Sequence, residues 1–339
     1  MTNCQIKIFL TATIYVVLSS HFAFGQKING VSFVAPVSEL DKNKISTVNE
    51  VNANYVALNP YGFSKMGKPM VFFNTNHQWW GETTQGTEQC IKLARKSNLK
   101  ILLKPHIWTD EHGWPALYDL KDEATWLKWE ANYRKFIMAF AHVAIKNNVE
   151  IFCIGTEFKN AALNRETFWR QLIFDLRKTY KGKITYAANW DDYQEIPFWD
   201  ALDYIGVDAY FPLTDESTPS FGSLAKGWLP HINELKLFSQ NKGKDVLFTE
   251  FGYRSIDKCA GKQWLLQDDY SYDGNANCQA QLNAYAVLFE MCWKQEWIAG
   301  GFLWKWYEDS NAGGINNNDY TPQNKPASLL IKKIYSQYK

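Results

Sequence analysis

Residues 150–158 read EIFCIGTEF and residues 246–253 read VLFTEFGY. In each, an apolar run of strand length ends abruptly at a glutamate, Glu157 or Glu250. Apolar character that is continuous rather than alternating suits a strand covered on both faces, as in a parallel sheet. Working outward from Glu150–Ile154 and Val246–Thr249, comparable runs occupy Gly30–Ala35, Tyr55–Leu58, Lys100–Leu103, Lys183–Ala188, Tyr204–Val207 and Gly301–Leu303, which makes eight. Between them lie amphipathic stretches of helical period: Thr84–Ser97, Asp122–Asn147, Arg165–Tyr180, Phe221–Gln240 and Asn275–Gln295. In the second of these, Trp126, Trp129, Tyr133, Phe136, Ile137 and Phe140 recur at helical spacing. Pro326–Tyr338 reads as a closing helix with Pro326 at its start. Eight strands alternating with helices predict an α/β fold of the (β/α)8 TIM-barrel type. An open doubly wound sheet would be expected to carry a Gly-rich phosphate loop, and the chain has neither G-x-G-x-x-G nor a P-loop. No Pro/Gly/Ser-rich linker divides residues 26–339, so a single domain is expected.

Residues 1–25 are expected to be a signal peptide. Lys7 precedes the apolar run Ile8 to Leu18, and the small residues Ala23 and Gly25 stand where a signal peptidase reads, giving cleavage before Gln26. The run is short and broken by Thr11 and Thr13, so no membrane span is expected there or later. The chain is therefore expected to be exported, periplasmic or extracellular, and monomeric. Cys4 leaves with the signal, and Cys90, Cys153, Cys259, Cys278 and Cys292 remain. Cys153 reads as a small core residue. Cys259 and Cys278 flank a polar stretch and are the best disulfide candidates in an oxidising compartment. No Cys/His spacing fits a zinc site, and neither metal nor cofactor is expected.

The formal net charge is +1, which gives no basis for binding nucleic acid and fits a neutral ligand. The chain holds Trp 15, Tyr 18 and Phe 21, more aromatic surface than a core alone calls for.

In a barrel of this type the site lies at the C-terminal ends of the strands. The third run is followed by Lys104, His106 and Trp108, the fourth by Glu157, the fifth by Asn189 and Trp190. The sixth is followed by Asp208 and Tyr210, the seventh by Glu250 and Tyr253, the eighth by Trp304 and Trp306. Aromatic and carboxylate groups converging on one rim suit a carbohydrate cleft. The Pro60–Gly86 connection, with Phe72-Phe73 and Trp79-Trp80, is long for a strand–helix loop and is expected to serve the site, Trp80 as a wall. Glycoside hydrolysis needs two carboxyl groups flanking the scissile bond, about 5–5.5 Å apart in retaining enzymes. Lys104 and His106 share a parity and could bind hydroxyls or hold Glu157; Asp208 could bind a hydroxyl or pair with Lys104. Trp304 and Trp306 also share a parity, and Trp304, nearer the strand, is the better sugar platform. Trp108, Trp190 and Tyr253 are further candidate walls, and Asn189 a polar contact. Asp191-Asp192 and Asp268-Asp269 read as solvated loop charge, with a weak calcium site as the lesser alternative.

The stretches Gly155–Phe158, Asp203–Tyr210 and Thr249–Tyr253 resemble glycoside hydrolase family 113, within a clan of retaining (β/α)8 glycosidases. The resemblance runs from about Asn29 to Ser310. It implies that Glu157 is the acid/base, Glu250 the nucleophile and β-1,4-mannan the substrate. Tyr210, after the sixth run, could hydrogen-bond Glu250 or simply pack on the barrel rim. Many clan members have Asn before the acid/base; here Thr156 stands there. A β-glucanase of the same clan, or a non-catalytic carbohydrate-binding protein on this scaffold, are the alternative readings.

Overall fold

The computed structural model describes residues 26–41, 43–109, 114–262 and 276–338. The expected signal peptide, residues 1–25, and Asp268-Asp269 lie outside the described residues. Eight parallel strands close into a barrel: β1 (Ile28–Phe33), β2 (Tyr55–Leu58), β3 (Lys100–Leu103), β4 (Ile151–Thr156), β5 (Lys183–Asn189), β6 (Ile205–Asp208), β7 (Val246–Phe251) and β8 (Ile298–Trp306). Each pairs with its sequence neighbours, and β8 pairs with β1 to close the ring. Around them pack α1 (Thr84–Lys96), α2 (Glu123–Lys146), α3 (Glu166–Thr179), α4 (Phe221–Lys242), α5 (Cys278–Leu288) and α6 (Pro326–Gln337). The helix starts follow from capping chemistry. Thr83 accepts from the Gly86 amide at 3.0 Å, Asp122 from Thr125 at 2.8 Å and Ser220 from Ser223 at 3.2 Å, each satisfying an otherwise orphaned first-turn donor. Among the described residues no helix is long and apolar enough to cross a membrane.

The core has two layers. Ile28, Ala57, Leu102, Ile151, Cys153, Ala187, Leu247 and Phe302 fill the barrel's interior. Alternate residues of the same strands face the helices, so each strand is apolar on both sides, which is why the runs read as continuous. Phe302 lies so close to β1 that a Cβ on Gly30 would stand 2.3 Å from its ring. Much of the tryptophan excess is spent in the outer layer: Trp129, Trp169, Trp199, Trp228, Trp293 and Trp306 are all fully buried.

Three features differ from the sequence expectations. A second, two-stranded parallel sheet joins Tyr61–Phe63 to His106–Trp108 and ties the loops after β2 and β3 together. A short helix, Lys159–Asn164, follows Glu157, and the last turn of the Asn275–Gln295 stretch is a π-turn at Phe289–Trp293. Cys259 and Cys278 are not joined: both are free thiols, Cys259 buried and Cys278 turned toward the Ile315 carbonyl at 3.5 Å.

Candidate active site

Just before each glutamate the strand loses regular register. β6 pairs Val207 with Phe248 and then Asp208 with Glu250, so β7 carries one extra residue, Thr249. A bulge of this kind re-aims the side chain that follows it. Glu250 turns into the barrel, where Oε1 pairs with the Nζ of fully buried Lys104 from the end of β3. Its Oε2 accepts the Tyr210 hydroxyl from the end of β6 at 2.8 Å. Burial alone would draw the Lys104 pKa down, but the Asp208 and Glu250 carboxyls beside it more than offset this and keep the ammonium charged. Asp208 accepts from Thr249 at 2.7 Å through Oδ1, while Oδ2 has no partner. Burial, opposed by Lys104 and reinforced by Glu250 and Glu157, holds Asp208 well above the usual carboxyl range.

Glu157 follows β4 directly, after a register shift between Cys153 and Thr156, and sits at φ 54°. That left-handed conformation is uncommon away from glycine. Two hydrogen bonds hold it: Glu157 N to the Ala187 carbonyl, and Phe158 N to the Tyr186 hydroxyl, both at 2.8 Å. The carboxyl accepts from the Trp114 indole at 3.1 Å. Burial first, and the nearby Glu250 charge second, push its pKa up to about 7, against the pull of Trp114 and Lys104. The two carboxyl groups therefore share one end of the barrel and feel each other's charge, but their surroundings differ.

The remaining rim residues divide. Lys104 serves Glu250 rather than Glu157, correcting one of the roles sequence allowed it. Trp304 is half-buried, with its ring 5.9 Å from Lys104 Nζ. Trp306 does not face the cleft. The β1–β8 register shifts between Ser32–Trp304 and Phe33–Trp306, so parity breaks and Trp306 turns into the outer core, 1% exposed, donating to Thr47 at 3.0 Å. Tyr253 is likewise buried, 2% exposed and edge-on to Tyr285 of α5, so it is no cleft wall. Trp190 packs against Phe211 and against His231 of α4. Trp80 packs against the core, and its neighbour Trp79 is the ring that lines the cavity beside Trp304. Trp108 is largely exposed and edges Tyr61. His106 packs 5.0 Å from Tyr61; burial, with the Lys104 charge, draws its pKa down to about 4, so it is neutral. Asn189 accepts from the Trp190 amide at 2.9 Å and pairs in register with Asp208. Asp192 is not solvated: it is buried, both carboxyl oxygens lack partners, and burial pushes it up to about 7. Among the described residues no cluster of His, Cys, Asp or Glu is arranged to hold a metal.

The family model described as Glycoside Hydrolase Family 113 matches residues 35–325. The chain belongs to Glycoside Hydrolase Family 113. It is a glycoside hydrolase. Solved structures agree on the fold. A GH113 β-mannanase from Alicyclobacillus acidocaldarius superimposes with a TM-score of 0.80 at 24% identity, covering 94% of this chain and 100% of that one. A second GH113 β-1,4-mannanase gives 0.78 at 26% identity, covering 92% and 99%. A β-glucuronidase from Faecalibacterium prausnitzii gives 0.62 at 14% identity, covering 93% of this chain and 49% of that one. No curated protein matches the chain.

In this glycoside hydrolase, Trp114 is the contact that sequence reasoning passed over. It lies several residues beyond the end of β3, and only an indole following a polar, Gly-containing segment marked it. Thr156, where the clan commonly has Asn, is buried with its hydroxyl unpartnered. The contrast between the two rim tryptophans is testable. Trp306→Ala should cost about 3–5 kcal/mol in urea unfolding, the range for emptying a buried Trp site. Trp304→Ala should leave that transition nearly in place and lower kcat/KM instead. Equal unfolding losses for both variants would contradict the placement.

Proposed function

We propose that the chain is a retaining β-1,4-mannanase that works through a glycosyl-enzyme. The asymmetry of the carboxyl pair carries this reading: Glu250 has donors on both oxygens, while Glu157 is pushed up to about 7 and can hold a proton near neutrality. In the first step Glu157 gives its proton to the glycosidic oxygen as the bond from that oxygen to the anomeric carbon breaks. A Glu250 oxygen forms the new bond to that carbon from the opposite face. In the second step Glu157 takes a proton from water, the water oxygen attacks the same carbon, and Glu250 leaves as carboxylate. Two inversions give net retention. Lys104 and Tyr210 keep the nucleophile aimed, and Trp304 is the platform under the reacting sugar. No cofactor enters the cycle. Mannan is favoured because two structural neighbours in the same family are named β-mannanases. On this reading residues 1–25 direct export and are removed, and the enzyme acts as a monomer on an external polysaccharide.

The test is hydrolysis of β-mannan, glucomannan and cellulose oligosaccharides, with proton NMR following the first-formed anomer. Manno-oligosaccharides should be cut with a β-anomer appearing first. An α-anomer appearing first would sink retention. Cleavage confined to cellulose oligosaccharides would sink the sugar assignment.

A further inference from the structure

The connection from β8 to α6, YEDSNAGGINNNDYTPQNK at residues 307–325, has no apolar period, and a polar chain rich in Asn and Gly is ordinarily a loose surface loop. Here its far end is knotted into the fold. Lys325 is 3% exposed, and a lysine is rarely buried unless its charge is met. An ammonium has three donors, and acceptors stand at all three: Ser255 Oγ at 2.8 Å, Asn317 Oδ1 at 2.9 Å and the Asp319 carbonyl at 2.9 Å. Ser255 lies just past β7, the strand that carries Glu250, so the knot fastens the connection to that end of the barrel.

Asp319 is buried too, and both its carboxyl oxygens accept. Oδ2 takes the Tyr307 hydroxyl at 2.6 Å, and Oδ1 takes the Tyr320 amide at 2.7 Å. The Tyr320 carbonyl accepts from Gln281 Nε2 of α5 at 3.0 Å, and the same nitrogen donates to the Tyr253 carbonyl at 2.9 Å. The backbone of Tyr320 is therefore held on both sides, which sets where its ring can go. A Cβ on Gly252 would stand 3.3 Å from Tyr320 Cδ1, so the ring lies against the end of β7, two residues past Glu250. From there it meets Tyr210 edge-on, with ring centroids 6.1 Å apart at an interplanar angle of 71°. Tyr210 is the group whose hydroxyl donates to Glu250 Oε2. It lies two residues beyond the end of β6, so the direction of its ring depends on what packs against it.

We infer that Tyr320 is a positioning residue for the reaction: its ring braces Tyr210 so that the hydroxyl stays on Glu250, and the Lys325 knot sets that ring in place. Tyr320 acts through Tyr210 and not on the substrate. The inference rests on the assignment of Glu250 as nucleophile made above. A brace of this kind acts on rate more than on binding, because it holds a reacting group in line.

A double-mutant cycle tests it, on whichever aryl β-hexoside the wild type hydrolyses, so that a wrong sugar assignment shows on wild type alone. Tyr210→Phe should lower kcat/KM on the order of 10–10²-fold, the worth of one hydrogen bond to a charged group. Tyr320→Ala should lower it about tenfold through kcat, with KM little changed. In the Tyr210→Phe background the same Tyr320→Ala change should cost less than about twofold, since the hydroxyl it aims is gone. A general loosening of the fold would instead multiply the two losses. Tyr320→Phe keeps the edge-on ring and should stay within about twofold of wild type. In a crystal structure of Tyr320→Ala the Tyr210 hydroxyl should have left Glu250 Oε2, which it meets at 2.8 Å in the intact enzyme. An unmoved hydroxyl, equal losses from Tyr320→Ala in the two backgrounds, or a loss in Tyr320→Phe as large as in Tyr320→Ala overturns the inference. A failed nucleophile assignment is read separately, as turnover retained in Glu250→Gln, whereas a failed brace leaves that variant inactive.

Discussion

Glu250→Gln is expected to lower kcat/KM by on the order of 10⁵-fold or more on every substrate the wild type hydrolyses, because an amide cannot carry the glycosyl group. The substitution keeps volume and leaves an acceptor for the Tyr210 hydroxyl, now 2.8 Å from Oε2. It also removes the negative charge facing the fully buried Lys104 ammonium, leaving Asp208 as the carboxyl beside it. Removing one member of a buried pair is costly, about 3–5 kcal/mol, so the loss of rate should come with a lower unfolding midpoint. Catalytic and structural effects separate by chemical rescue. In Glu250→Ala, azide can fill the space and attack the anomeric carbon directly, giving an α-glycosyl azide from an aryl β-glycoside. Turnover of Glu250→Gln within tenfold of wild type would remove Glu250 from the mechanism.

The barrel itself was legible in the sequence because its physics is local. All eight strands fall within a few residues of the apolar runs, since a strand covered on both faces must be apolar on both parities. The glutamates were legible because strand ends are where side chains reach the site. What failed to show were quantities fixed by register. Trp304 and Trp306 have the same parity on paper, and one shift in the β1–β8 pairing sends them to opposite sides of the strand. Lys104 was open to Glu157 or Asp208 as partner. It pairs with Glu250, 146 residues away, because the β7 bulge turns that glutamate toward β3. Trp114 and Trp79 were missed for a different reason. They lie on loops, and their positions depend on contacts with distant segments, such as the Trp80 amide on Val37, rather than on any local period.

Glu157→Gln is expected to cost about 10²–10⁴-fold on oligosaccharides, the usual worth of general acid–base catalysis. The loss should be far smaller for the first step with an aryl leaving group that departs without a proton. The pH profile gives a sharper test. In the proposed mechanism Glu157 must be protonated to start the cycle, so kcat/KM in the wild type should fall as pH rises through about 7, the value to which burial and the Glu250 charge push this carboxyl. That alkaline limb should be missing in Glu157→Gln. Trp114→Phe should move it upward, since the Trp114 indole donates to the Glu157 carboxyl at 3.1 Å and a lost donor disfavours the ionised form. Neutralising Glu250 should move the Glu157 titration downward, readable by carbon NMR on labelled Glu250→Gln enzyme, because the Glu250 charge is part of what raises it. On the proposed glycosyl-enzyme cycle Glu250 is neutralised in the same way. Once Glu250 is esterified in the glycosyl-enzyme its charge is gone and Glu157 becomes a stronger acid. It then rests ionised near neutral pH, the form needed to take a proton from the incoming water. If the Glu157 titration is unmoved in Glu250→Gln, this coupling does not drive the switch from acid to base, and some other group must supply it.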